Sequence, residues 1–331
     1  MHDHILRNRV SDYCEGDLMR HLHGDGMPLS PEERTAFEHH IPSAGTLVAF
    51  GLEAWPHLLG VMRSRTRRSG AWSGRLTRRE AELSTQVLGE VAERGPICSE
   101  HIADERRAWR PVWGSSSLAK SVFQKLFFHG RLLIARRDEN NRRLYDLPER
   151  VLPKAVLGLP EPPEEETSRW EALLALRQRR LVRLKRFQLP LVEDLVQEVR
   201  VEGCPALHCL RDDLSLFEQS TRPTGSPQKV LLLAPLDPLI YNRSLALALW
   251  DFDYIWEAYT PAPRRKRGHY ALPVVSGAEI VGHVDLKADR VWGRLCVISQ
   301  SVRRGHRVSP AVAEVAKFLG LGGVSGRHSS A

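Results

Sequence analysis

The sequence predicts an α+β protein: tandem winged helix-turn-helix modules followed by a C-terminal antiparallel β-barrel-like domain. Two observations carry this. Residues 76–150 read as helix, short helix, helix and hairpin, the winged helix-turn-helix order. Residues 229–299 read as short apolar runs punctuated by Gly, Pro and Asp, which describes an antiparallel barrel or meander.

Residues 1–75 are the least regular part. Ser30-Pro31-Glu32-Glu33 sets an N-cap, a proline at the first helical position and acids in the first turn, and Thr46 to Phe50 is an apolar run. In 76–153, Thr77-Arg78-Arg79-Glu80 is a capping box, in which the threonine accepts from the third-position amide and the glutamate reaches back. Leu83, Val87, Leu88 and Val91 recur at helical spacing until Gly95-Pro96 stops the helix. A short helix is expected from Ser99. Ser115-Ser116-Ser117 offers an N-cap for a third, with Leu118, Val122 and Leu126 on one stripe and Lys120, Gln124 and Lys125 away from it. Gly130 ends that helix. Strands at 131–137 and 142–147 then flank the turn Asp138-Glu139-Asn140-Asn141, with Arg136, Arg137, Arg142 and Arg143 near its tip.

Residues 154–222 form a third helical, winged-helix-like module behind a Pro- and Glu-rich linker at 154–166. Ser168-Arg169-Trp170-Glu171 reads as a second capping box, opening a helix with Leu173, Leu174, Leu181 and Leu184 beside a basic face. Thr221 to Ser226 is a second loop. Residues 223–320 hold the β domain, closed by a helix from Ala311 to Leu319, and 321–331 is a Gly- and Ser-rich tail expected to be flexible.

The 331 residues carry a formal charge of +8, much of the excess being arginine. Arginine suits phosphate backbones because its planar fork bonds two oxygens at once, although mild basicity is common in proteins that bind no nucleic acid. No apolar run approaches the roughly 20 residues of a membrane span. Met1-His2-Asp3-His4 lacks the regions of a signal peptide, so a cytoplasmic, nucleoid-associated monomer is the expectation. Five scattered cysteines read as reduced thiols. His21 with His23, Cys98 with His101, and Cys204 with His208 and Cys209 lack the paired spacing of a zinc site. No Walker loop, dinucleotide fingerprint or G-x-S-x-G elbow is present, and no cofactor is expected.

Within 229–290 the wording is specific. Asp237-Pro238-Leu239 with Arg243 is followed by Phe252-Asp253-Tyr254 with Glu257, Tyr259 and Pro261. Arg265 with Gly268, Tyr270, Leu272 and Pro273 comes next, and then Val281-Gly282 with Asp285-Leu286-Lys287-Ala288-Asp289-Arg290. In this order these residues resemble the C-terminal barrel of the winged-helix DNA glycosylases of the AlkZ/YcaQ type. Tyr145-Asp146-Leu147-Pro148 and Glu53-Ala54-Trp55-Pro56-His57 add further matches. The resemblance implies excision of alkylated bases or unhooking of interstrand crosslinks on double-stranded DNA, and makes residues 1–75 the remnant of a first winged-helix module. It also implies a catalytic triplet, glutamine–apolar–aspartate or glutamine–apolar–glutamine, ahead of the segment aligned with His2 to Val10. On that alignment the triplet precedes Met1, and no glutamine of the chain begins one. An N-terminally truncated glycosylase and a non-catalytic DNA-binding regulator or repair accessory are therefore both open.

The expected DNA contacts are Lys120 and Lys125 on the third helix, and Arg136, Arg137, Arg142 and Arg143 on the hairpin. Arg264, Arg265, Lys266 and Arg267 form a further expected contact, a loop between barrel strands. Glu53 and His57, four apart, are catalytic candidates because a carboxylate and an imidazole can orient one water. Their alternative is a packing motif centred on Trp55.

Overall fold

The computed structural model describes residues 1–43, 45–110, 114–220 and 229–325. Two compact units emerge: Met1–Asp17 with Ser168–Ala331, and Leu18–Thr167. The first 75 residues are therefore shared between the two units.

The chain opens with α1 (His2–Leu6) and α2 (Asp17–His23). The segment around α1 is anchored to the sheet of its own unit. His4 and Asn8 donate to the Leu232 carbonyl at 2.8 and 2.9 Å. Arg9 forks onto the Asp237 carboxylate at 2.6 and 2.9 Å.

In the second unit, β1 (Ala36–His40) and β2 (Leu47–Gly51) pair antiparallel with Phe37 opposite Phe50. α3 (Trp55–Arg67) places Pro56 in its first turn, where a missing N–H is harmless. α4 (Arg78–Arg94) begins at the expected Thr77 cap. The two strands β3 (Arg107–Arg110) and β4 (Gly114–Ser117) lead into α5 (Leu118–Phe128), capped by Ser117. Leu118, Val122 and Leu126 bury their stripe as expected, and Phe123, Phe127 and Phe128 join them. Each such side chain contributes about 1.5–3 kcal/mol of burial. Gly130 ends the helix at φ +69°, a left-handed turn that favours glycine. β5 (Leu133–Arg137) and β6 (Arg143–Asp146) make the arginine hairpin, and α6 (Lys154–Leu157) follows. Ser30 and Ser99 each open only a 3-10 turn, Pro31–Glu33 and Ser99–His101.

α7 (Glu164–Arg179) starts four residues ahead of the expected Ser168 cap. Three glutamates fill its first turn, where the positive end of the helix dipole favours them. α8 (Leu189–Val192), the hairpin of β7 (Val196–Val199) and β8 (Leu207–Leu210), and α9 (Leu214–Ser220) come next. The loop expected at Thr221–Ser226 lies outside the described residues.

The C-terminal part of the first unit holds β9 (Val230–Leu232), α10 (Arg243–Trp250), β10 (Ala271–Ser276), β11 (Glu279–Asp289), β12 (Arg294–Val302), α11 (Ser309–Phe318) and β13 (Gly323–Ser325). The sheet is curled and five-stranded, in the order β13-β12-β11-β10-β9. Its pairings are antiparallel except β12 with β13, which is parallel. Val312 and Val315 of α11 pack on Leu232, Val274, Val284 and Leu295. Within the expected tail, Gly323–Ser325 is a strand, with Val324 opposite Leu295. No helix among the described residues is long and apolar enough to cross a membrane.

Candidate nucleic-acid interface

The cap of α4 does more than start a helix. Glu80 accepts from the Thr77 amide at 2.8 Å, from the Ser121 hydroxyl at 2.7 Å and from Lys125 Nζ at 2.7 Å. Lys125 also donates to the Arg75 carbonyl at 3.0 Å. Burial opposes the Glu80 charge, but Lys125, Ser121 and the Thr77 amide outweigh it and hold the carboxyl below its usual range. Lys125 is 2% exposed, which corrects its assignment as a DNA contact. Seven residues on from Leu118, it lies within about 20° of that residue on the helical wheel, at the edge of the apolar stripe, where a buried carboxylate on the neighbouring helix claims it.

Lys120 is exposed on α5, with Gln124 one turn on. Opposite them stands the arginine hairpin. Asp138 shapes its tip by accepting from the amides of Asn140 and Arg142 at 2.9 and 2.8 Å, while Asn141 takes a left-handed φ of +60°, which asparagine tolerates. Arg136 is exposed and has no ion-pair partner among the described residues. Arg142 is shared between Asp138 and Glu100. Arg137 reaches inward to Glu38 at 2.5 Å, and Glu38 is also bonded to His23 at 3.1 Å. Burial alone would raise the Glu38 carboxyl, yet the hydrogen bonds from His23 and Arg137 pull it down to about 2. Arg137 is thus chiefly the partner of a buried carboxylate, while Arg136 and Arg142 are exposed and Arg143 is half-buried.

Between α5 and the hairpin lies a cleft of about 460 Å³, lined by Lys120, Phe123, Gln124, Arg137, Asn141, Arg142, Arg143 and Tyr145, with His40, Trp72, Cys98, Ser99 and Glu100. His40 and Trp72 were not among the expected site residues, because nothing in the local sequence ties residue 40 or 72 to residue 124. The His40 Nδ1 donates to the Gly45 carbonyl at 2.6 Å, and its ring stacks on Phe128 at 4.3 Å. Burial, with Arg143 nearby, lowers the His40 pKa to about 4, so the ring is neutral at pH 7.

In the other unit, the basic loop is held by its backbone. The buried Glu257 carboxylate accepts from the amides of Lys266, Arg267 and Gly268 at 2.7, 2.7 and 3.1 Å. Burial works against its charge, and the three amides outweigh that and keep the carboxyl below its usual range. Asp285 accepts from His269 and Tyr270 amides at 3.1 and 2.9 Å, and a Cβ on Gly268 would meet its carboxylate at 2.1 Å. Arg264 and Lys266 are left exposed, whereas Arg265 donates to the Thr260 carbonyl and Arg267 lies over Phe252. At the tip of the β11–β12 hairpin, Val291 and Trp292 are 90% and 74% exposed beside Arg290, a feature the sequence alone did not single out.

Glu53 is exposed in the turn before α3, and its carboxylate folds back over Gly51. His57 lies 3.5 Å from the Thr167 hydroxyl, and burial lowers its pKa, partly offset by Glu166. Trp55 between them is buried edge-on against Phe37 at 6.0 Å, which is the packing arrangement. Among the described residues, no group of three His, Cys, Asp or Glu is placed to hold a metal.

The family profile described as DNA glycosylase AlkZ-like matches residues 1–319. The chain belongs to this family. The fold of Streptomyces sahachiroi DNA glycosylase AlkZ is similar, with a TM-score of 0.53 and 18% identity over 88% of this chain and 81% of that one. For the AlkZ-like chain described here, that likeness concerns the fold.

Proposed function

We propose that this AlkZ-like protein binds duplex DNA through α5 and the β5–β6 hairpin, acting as recognition helix and wing of a winged helix-turn-helix. The observation that carries this reading is the cleft that Lys120, Arg142 and Arg143 line together from both elements. Phosphate contacts from such cations fix register on DNA without reading sequence, so binding is salt-sensitive and largely sequence-independent. Arg264 and Lys266 offer a second set of phosphate donors, and Trp292 offers an apolar side chain of the kind that wedges between base steps.

The reaction class that family membership supports is hydrolysis of an N-glycosidic bond. Water adds at C1′ of the sugar and gives up a proton to solvent while the bond to the base breaks. An alkylated base that carries positive charge leaves as a neutral molecule, so the site needs only to orient water and stabilise cation character on the sugar. No glutamine among the 331 residues opens the expected triplet, and Glu53 and His57 stand around a packed tryptophan. Loss of such a positioned group typically costs about 10²–10³ in rate. The chain as it stands is therefore read as a DNA binder that releases alkylated bases slowly or not at all. Release of N7-alkylguanine from duplex DNA, with chelator present, tests this. Brisk release would overturn it and direct mutagenesis to Glu53 and His57.

A further inference from the structure

We propose that the open edge of β12, from Val297 to Val302, receives an extended acidic segment of a partner protein, which pairs with it in line with β13. The two edges of this sheet are finished differently. At β9, His4 and Asn8 both donate to the Leu232 carbonyl, so side chains close that edge. At the other edge, β13 covers β12 only at Arg294, Leu295 and Cys296. From Val297 to Val302, β12 pairs with β11 on one side, and no described residue pairs with it on the other. Backbone N–H and C=O groups on an uncovered side are a template for another strand. At about 3.3 Å per residue the open stretch runs roughly 20 Å, the length of an ordinary strand. Val297-Ile298-Ser299-Gln300-Ser301-Val302 holds no proline and no charge, two devices that commonly blunt an edge. A bulge leaves Ile298 without a partner on β11 and 47% exposed, an apolar contact beside the open backbone.

Charge decides the occupant. Just beyond the strand, Arg304 and Arg307 are exposed and have no ion pair among the described residues, while Arg303 pairs with Glu279. At the strand's other end, Lys287, Arg290 and Arg294 line a cleft of about 510 Å³, where Asp289 pairs with Arg294. The open edge is therefore flanked by cations at both ends. A second copy of the chain brings a like charge of +8. In antiparallel pairing it would also set its own Arg304 and Arg307 toward the Arg294 end. DNA has no amide backbone to continue the ladder, so only the arginines would hold it. An extended peptide with carboxylates about an apolar run matches both the edge and its flanks, since main-chain bonds give affinity and side chains give choice.

The test uses the full chain and a fluorescent peptide of alternating valine and glutamate, about eight residues long, measured by anisotropy at low salt. Two further versions carry N-methyl groups on alternate residues, one set in each. A strand docked on one edge uses the amides of one set only. One methylated version should therefore lose about tenfold or more in affinity, the net worth of two or three hydrogen bonds, and the other should lose far less. Amide exchange within 297–302 should slow when the parent peptide binds. Replacing both exposed arginines, Arg304→Ser with Arg307→Ser, should weaken peptide binding about three- to tenfold. Absence of peptide binding, or equal affinity for both methylated versions and the parent, overturns the docked strand. An unchanged affinity in the double variant overturns its acidic character. Three results hand the edge to another occupant and overturn the proposal equally. These are a double variant that loses duplex DNA but not peptide, a dimer that the peptide dissociates, and peptide binding seen only after deletion of residues 326–331.

Discussion

The stretch around residues 237–285 and the cleft beside α5 use their polar side chains in opposite ways. In the first, the most recognisable residues of the whole sequence bond to the protein's own backbone. Asp237 is fully buried under Arg9 and accepts from the Leu239 amide, Arg243 donates to the carbonyls of Pro235 and Ile240, and Tyr254 donates to that of Ala271. Glu257 and Asp285 fix the turn into β10. These are architectural roles, because a buried polar group needs its partners close by. Around the cleft the sequence is far less distinctive, yet Lys120, Arg142 and Arg143 turn toward solvent-filled space. Motif density in this protein marks where buried polar side chains hold the backbone in place.

The sharpest way to break that contrast is Lys125→Met. If Lys125 is a buried partner, removing it strands the Glu80 charge and should cost about 3–5 kcal/mol in chemical denaturation of the second unit. A stable variant with weakened DNA binding would return Lys125 to the interface. Next in size is the triple variant of Arg136, Arg142 and Arg143 to alanine, with Arg137 left to hold Glu38. Its DNA affinity at low salt should fall by about an order of magnitude, and the slope of log K against log salt should shrink by roughly 2–3. An unchanged salt titration would remove the hairpin from the binding face.

Acid should distinguish the buried imidazoles from the exposed charges. Burial lowers His39 to about 3 and His40 to about 4, so both stay neutral in the folded unit when unfolded histidine begins to protonate near pH 6.5. The unfolded state then binds more protons, and stability falls with pH from about 6.5 down toward the folded values. Each contributes a loss of roughly 1–2 kcal/mol between pH 7 and 5, and His4 in the other unit, also near 4, acts the same way. Glu38 adds its own loss only below about pH 5, because its folded pKa is depressed. A stability curve flat from pH 7 to 5 would contradict this. The smallest effect expected is from Glu100→Gln, which frees Arg142 from one of two carboxylates and should tighten DNA binding about two- to threefold. Weaker binding would instead show that Glu100 positions Arg142 productively.

Much of this was legible in the sequence where the governing interaction is local. The Thr77–Glu80 capping box, the Leu118-Val122-Leu126 stripe and the strands around Val274 and Val284 follow from spacing and turn residues within one element. What was missed depends on partners far along the chain. Lys125 meets Glu80, Arg137 meets Glu38, and His40 joins Gln124 in one cleft. The start of α7 was misread because three glutamates and a proline pair outweigh a serine cap, and β13 because a glycine-rich strand has little pattern of its own.

The cap on α4 has a kinetic consequence. Since Glu80 bonds the first turn of one helix and two side chains of the next, neither helix end can fray alone without stranding a buried carboxylate. The N-terminal turn of a helix is ordinarily among the first places to exchange its amide hydrogens with solvent. Here the amides of Thr77 and Glu80 should exchange only when α5 undocks, so α4 and α5 open and close as one body.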